Sequence, residues 1–100
     1  MHICMYNQYE GFEWDDEKAE RNMETHRISF EIARHVFDDP CAVTFEDIEH
    51  STEEERFATI GLCVIDLLFV NFAYRDERIR IISARRASKK MQRIYEDNEY

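Results

Sequence analysis

The sequence predicts an α+β fold: an antiparallel sheet with helices packed on one face, its elements in the order βααββββα. Three observations point there. Two runs rich in strand formers, residues 56–64 and 67–74, are separated only by Ile65-Asp66. A third run, 78–84, follows directly after the turn Arg75-Asp76-Glu77. Before this block lie capped segments with apolar residues at helical spacing, and after it residues 87–96 return to helix formers. One hundred residues suffice for a single domain, 1–100, and two glycines with one proline leave little chain for linkers. With 44% hydrophobic and 13% aromatic residues the chain is not disordered, although 35% of it is charged.

Taken in order, residues 1–9 show no clear period and are expected to be a loose start. Residues 12–14 form a short strand candidate. Asp15 then offers a helix N-cap, with Asp16 and Glu17 in the first turn where the helix dipole favours acids. The helix runs on through residues 18–26, mostly polar, with Ala19, Met23 and Trp14 as a narrow apolar side. Ser29 is a second N-cap. Phe30, Ala33, Val36 and Phe37 keep helical spacing, and Asp38-Asp39-Pro40 stops the element. Residues 42–45 are a strand candidate, and the acidic stretch 46–55 reads as an exposed connection. Residues 67–74 are apolar on both faces, which places that strand in the middle of the sheet. Arg78 and Arg80 alternate with Ile79 and Ile81, and residues 87–96 return to helix formers.

The net charge of −9 is unevenly spread. Residues 1–57 hold 16 acids against 5 bases, while residues 75–93 hold eight Lys/Arg and two acids. A basic surface on an acidic body is implied. The cysteines Cys4, Cys41 and Cys63 are odd in number, with no CxxC pair and no zinc spacing, so reduced thiols in a cytoplasmic protein are expected. No secretory signal opens the sequence, and no apolar run reaches the length of a membrane span.

The segment at residues 78–95 carries most of the chemistry. If the isoleucines meet the helices, Arg78 and Arg80 stand on the open sheet face. Arg85 and Arg86 fall at the strand–helix junction, and Lys89, Lys90 and Arg93 continue the positive charge. Guanidinium groups there suit phosphate contact and charge stabilisation in a transition state. The plainer alternative is a solvated face paired with acids elsewhere. His2 lies in the loose start, leaving His26, His35 and His50 as candidate acids or bases. Tyr95, one turn from Met91, is a candidate for orienting a phosphate or moving a proton; alternatively its ring packs on the core. No metal-ligand spacing, phosphate loop or dinucleotide motif is present.

The blocks FEWDDEKAERN (12–22), ISFEIARHVFDDP (28–40), ERFATIGL (55–62) and RIRIISARRASKKMQRIYE (78–96) resemble the BrnT family, toxins of bacterial type II toxin–antitoxin pairs with a RelE-like ribonuclease fold. The resemblance implies RNA cleavage without metal or cofactor, inhibition of translation, and neutralisation by a BrnA-like ribbon-helix-helix antitoxin. Promoter DNA would be met only through the antitoxin complex, and no membrane is involved. Trp14, Lys18, Asn22 and His26 match the first block; Arg56, Arg80, Arg85 and Tyr95 match later ones. The expected catalytic residues are therefore Arg80, Arg85, His26 and Tyr95. Lys18, Arg56, Arg78, Arg86, Lys89 and Lys90 are the expected RNA contacts. Two positions depart from the family: Arg27 stands where Gly is usual, and Met91 where Glu is frequent. Those departures favour a rival reading, a non-catalytic toxin homologue that acts as a binding or corepressor module with its antitoxin.

Overall fold

The computed structural model describes residues 4–6, 11–64 and 66–98. Among these, a six-stranded sheet is ordered β1-β2-β6-β5-β4-β3. The strands are β1 (Cys4–Tyr6), β2 (Phe12–Asp15), β3 (Val43–Glu46), β4 (Arg56–Leu62), β5 (Leu67–Arg75) and β6 (Arg78–Arg86). The helices are α1 (Asp16–His26), α2 (Phe30–Ala33), continued by a 3₁₀ turn over Arg34–Asp38, and α3 (Lys89–Asp97). The α+β class and the central position of β5 are as the sequence predicts.

The caps form as local chemistry dictates. Asp15 Oδ1 accepts from the Glu17 and Lys18 N–H groups at 2.8 and 3.3 Å, and Ser29 Oγ accepts from Ile32 N–H at 3.2 Å. Each satisfies a donor that the helix itself leaves unpaired. Helix α3 is capped likewise by Ser88, whose Oγ accepts from Met91 N–H.

Long-range pairing differs from the expectation in three respects. The segment read as a loose start contains β1, which adds to β2 in antiparallel register; residues 1–3 and 7–9 of it lie outside the described residues. The sheet is mixed, because β2 and β6 run parallel. After β2, α1 and α2 carry the chain across the sheet to β3 at the far edge. Three antiparallel reversals then return it to β2 in the same direction.

Third, the helices are divided between the two faces. Helices α1 and α2 cover one, where Trp14, Ile28, Phe30, Ala33 and Val36 pack on Leu68, Val70, Ile81 and Ala84. Phe30 and Phe72 are fully buried there, each contributing roughly 1.5–3 kcal/mol by leaving water. Helix α3 instead crosses one end of the second face, where Tyr95, Ala87 and Met91 meet Ile60, Leu67 and Phe69. Strand alternation explains why: Phe69 and Ile60 point away from the first core, and the apolar pair needs its own cover. No helix among the described residues is long and apolar enough to cross a membrane.

Candidate functional site

The part of the second face that α3 leaves uncovered is built in transverse rows. Register places Arg56 beside Ala73, Arg80 and Glu13 in one row, and Phe45 beside Ala58, Asn71 and Ser83 in the next. Then come Ile60, Phe69 and Arg85. Small residues thus floor the middle, with guanidinium groups at its borders. A bulge in the β5–β6 pairing, between Asn71/Ser83 and Phe72/Ile81, leaves Ile82 without a direct partner. It keeps Ile81 and Ala84 on the core side while Ser83 and Arg85 stay on the open side.

Arg80 is held rather than loose. Its Nη1 donates to Glu13 Oε2 at 3.1 Å, and Arg78 Nε lies 3.6 Å from Glu13 Oε1. Arg78 Nη2 also donates to the Phe12 carbonyl at 2.8 Å. The Glu13 side chain is only 5% exposed, so the two arginines neutralise a charge that burial would otherwise penalise.

Beyond the end of β2, α1 flanks β6 directly. Asn22, buried, replaces a neighbouring strand: its Oδ1 accepts from Ala84 N–H at 3.0 Å and its Nδ2 donates to the Ile28 carbonyl at 2.9 Å. A groove of about 360 Å³ results, lined by Lys18, Arg21, Asn22, Thr25, His26, Ile82 and Ser83. An adjoining groove of about 170 Å³ shares Ile82 and Ser83 and adds Asp47, His50, Arg56 and Asn71. Its polar groups are linked: Ser83 Oγ donates to Asn71 Oδ1 at 3.1 Å, and Asn71 Nδ2 donates to Asp47 Oδ2 at 3.4 Å.

The expected site residues therefore separate into groups. Lys18 and His26 share the first groove, and Arg56 lines the second. Arg80 stands with Glu13 in the same transverse row as Arg56, and Arg78, opposite Arg75 in the next row, reaches the same Glu13 with its side chain. Arg85 is five residues from Arg80, roughly 15 Å along a strand, so the two do not converge on one phosphate. Its guanidinium lies 5.0 Å from the Phe69 ring centroid, a cation–π contact. Arg86 faces the other way, donating to Asp66 Oδ2 at 3.1 Å and to the His26 carbonyl at 3.4 Å, and so ties α1 to the β4–β5 loop. Lys89 and Lys90 are exposed in the first turn of α3.

Tyr95 lines neither groove. It is buried, and its hydroxyl donates to Asp39 Oδ2 at 2.7 Å. Asp39 also accepts from the Leu62 and Cys41 N–H groups. Burial would raise this carboxyl, but the three hydrogen bonds outweigh that and hold it below its ordinary value. Sequence reasoning missed Glu13, Asn71 and Ser83. The alternation that put Arg80 on the open face also puts Glu13 there once β2 is paired with β6, but that pairing is not readable locally.

A small α+β protein with a polar, arginine-bordered groove on its sheet has the groups needed to hold a phosphodiester. Residues 14–90 match the family model described as the ribonuclease toxin BrnT of type II toxin–antitoxin systems, and the chain belongs to that family. Its members are ribonuclease toxins, so an RNA target and an antitoxin partner belong to its class. No curated protein matches the chain.

Proposed function

We propose that this chain is a metal-independent endoribonuclease that stops translation by cutting RNA, and that a BrnA-like ribbon-helix-helix antitoxin neutralises it in the cytoplasm. Promoter DNA is bound only by the pair, through the antitoxin. The observation that carries the reading is the row formed by Arg56 and Arg80, with Arg56 lining the second groove and the first groove joining that one at Ile82 and Ser83. RNA lies across the row, with Arg56 and Arg80 on the scissile phosphate. Lys18, Arg78 and Arg85 hold neighbouring phosphates, and Lys89 and Lys90 draw the strand in from α3.

The ribose 2′-hydroxyl attacks the adjacent phosphorus and the P–O5′ bond breaks. The guanidinium groups stabilise the charge that develops on the phosphoryl oxygens. His26, the last residue of α1 and a lining residue of the first groove, protonates the departing 5′-oxygen. An acidic or mixed antitoxin segment laid over this basic face would block all of these contacts together.

The test is cleavage of single-stranded RNA by the purified chain in excess EDTA, with the product ends identified. Products with 2′,3′-cyclic phosphate and 5′-hydroxyl ends, at a rate EDTA leaves unchanged, are expected. Arg80→Lys is the informative variant because it keeps a cation beside Glu13 and so spares the fold. It should lose roughly 10²–10³ in rate, since an ammonium cannot reproduce the two-pronged contact. A folded parent that leaves RNA intact would favour the non-catalytic corepressor reading instead.

A further inference from the structure

The mechanism above leaves one proton unassigned, the one that must leave the 2′-hydroxyl. We infer that His50, oriented by Asp47, is the general base that takes it; this rests on the ribonuclease reading. His50 ends a short 3₁₀ turn (Ile48–His50) between β3 and β4, and Asp47 stands at the head of that turn. The turn is pinned to the sheet. Asp47 N–H donates to the Arg56 carbonyl at 2.7 Å, Ser51 Oγ donates to the Asp47 carbonyl at 2.7 Å, and Arg56 N–H donates to Ser51 Oγ at 2.9 Å.

His50 Nδ1 lies 2.8 Å from Asp47 Oδ2. A carboxylate only accepts, so Nδ1 carries the hydrogen and the Nε2 lone pair is left to take another. The exposures suit that division of labour: the Asp47 side chain is 20% exposed and the His50 ring 64%. A sheltered carboxylate behind an accessible imidazole is the arrangement in which the acid fixes tautomer and direction while the ring exchanges protons.

The same Asp47 oxygen also accepts from Asn71 Nδ2, which joins the pair to the floor of the site. A histidine that merely capped its own turn would need no such link to β5. His50 shares one groove with Arg56, Asn71 and Ser83, and a second with Thr52, Glu53, Glu54, Arg56 and Arg75. The charged groups facing it are therefore Asp47, Glu53 and Glu54 from the connection, Arg56 from β4 and Arg75 from β5. In the reaction Nε2 takes the 2′-hydroxyl proton as the O2′–P bond forms, and the P–O5′ bond breaks as O5′ takes a proton from His26. The cyclic phosphate and the 5′-hydroxyl leave, and solvent exchange returns each histidine to its starting protonation.

The decisive experiment compares the parent, His50→Gln and Asp47→Asn as full-length chains. Single-turnover cleavage of a labelled single-stranded RNA is followed from pH 5 to 9, and affinity is measured on the same RNA with 2′-deoxyribose, which cannot be cleaved. His50→Gln should cleave at least about 100-fold more slowly, bind the deoxy strand as the parent does, and lack the limb on which the rate rises with pH as the base loses its proton, while the falling limb that belongs to His26 remains. Asp47→Asn should lower the rate and displace the rising limb while binding is kept. His50→Gln with the parental rate and profile overturns the assignment, as does a rate loss wholly explained by weaker binding. A parent that does not cleave overturns the ribonuclease reading along with it, whereas a cleaving parent with an unaffected variant removes His50 alone.

Discussion

Arg80 illustrates how a residue of the proposed site is also engaged by the fold. Glu13 needs a cation because its carboxylate is almost fully covered, and Arg80 supplies one from the row next to Asn71 and Ser83, which line the groove. Truncation to alanine would leave that carboxylate to Arg78 alone, so any loss of activity would be confounded with loss of stability. Arg27 is the opposite case, a residue whose conformation conflicts with its type. It caps α1 at φ 61° and ψ 33°, the left-handed region that a side chain disfavours. The turn survives nonetheless, with Arg27 N–H donating to the Met23 carbonyl at 3.0 Å. The departure from glycine therefore costs conformational energy without changing the geometry. Arg27→Gly should raise stability by about 1 kcal/mol and leave RNA cleavage at the parental rate; an unchanged or lower midpoint in urea would refute this.

At the scale of elements, what the sequence reveals follows the range of the interactions that set it. The N-caps at Asp15 and Ser29, the stop after residue 38 and the hairpin at Asp76-Glu77 depend on a few neighbouring residues, and all are legible. The parallel pairing of β2 with β6 and the placement of α3 on the second face depend on partners more than sixty and more than twenty residues away along the chain. They are not. The site divides in the same way: the arginines show themselves by alternation, whereas the Asp47–His50 pair sits within an acidic stretch that reads as solvated connection. Gly61 on β4 is another feature set by distant packing. A Cβ there would stand 3.0 Å from Val36 Cβ and 3.1 Å from the Val36 carbonyl oxygen, and a backbone atom cannot swing aside. The strand and the 3₁₀ turn are in such close approach that Gly61→Ala should cost about 1–3 kcal/mol. Thermal unfolding at the parental temperature would show that the turn yields freely.

For the whole molecule, the joint that ties its second layer to its first is acidic. Asp39 follows the Arg34–Asp38 turn on the first face, accepts from Leu62 N–H at the end of β4 at 2.7 Å, and accepts from the Tyr95 hydroxyl of α3 on the second. One carboxylate thus links three elements, and its charge state governs the link. Its hydrogen bonds hold it below the ordinary value of 3.8 in the folded chain, whereas the unfolded chain binds the proton at that ordinary value. The folded state is therefore favoured by ionisation: the contribution is complete above the unfolded value and disappears as pH falls through the folded one. Tyr95→Phe removes one of the three bonds and should cost about 1–2 kcal/mol at pH 7, because the lost bond is to a charged acceptor. It should also bring the folded carboxyl closer to its ordinary value, so that the penalty shrinks as the solution is acidified below pH 4. Urea unfolding of parent and variant at pH 7 and pH 3 measures both effects. A penalty equal at the two pH values would show that the hydroxyl's contribution does not depend on the charge of Asp39, and a variant as stable as the parent at pH 7 would show that α3 is held by its apolar face without Asp39.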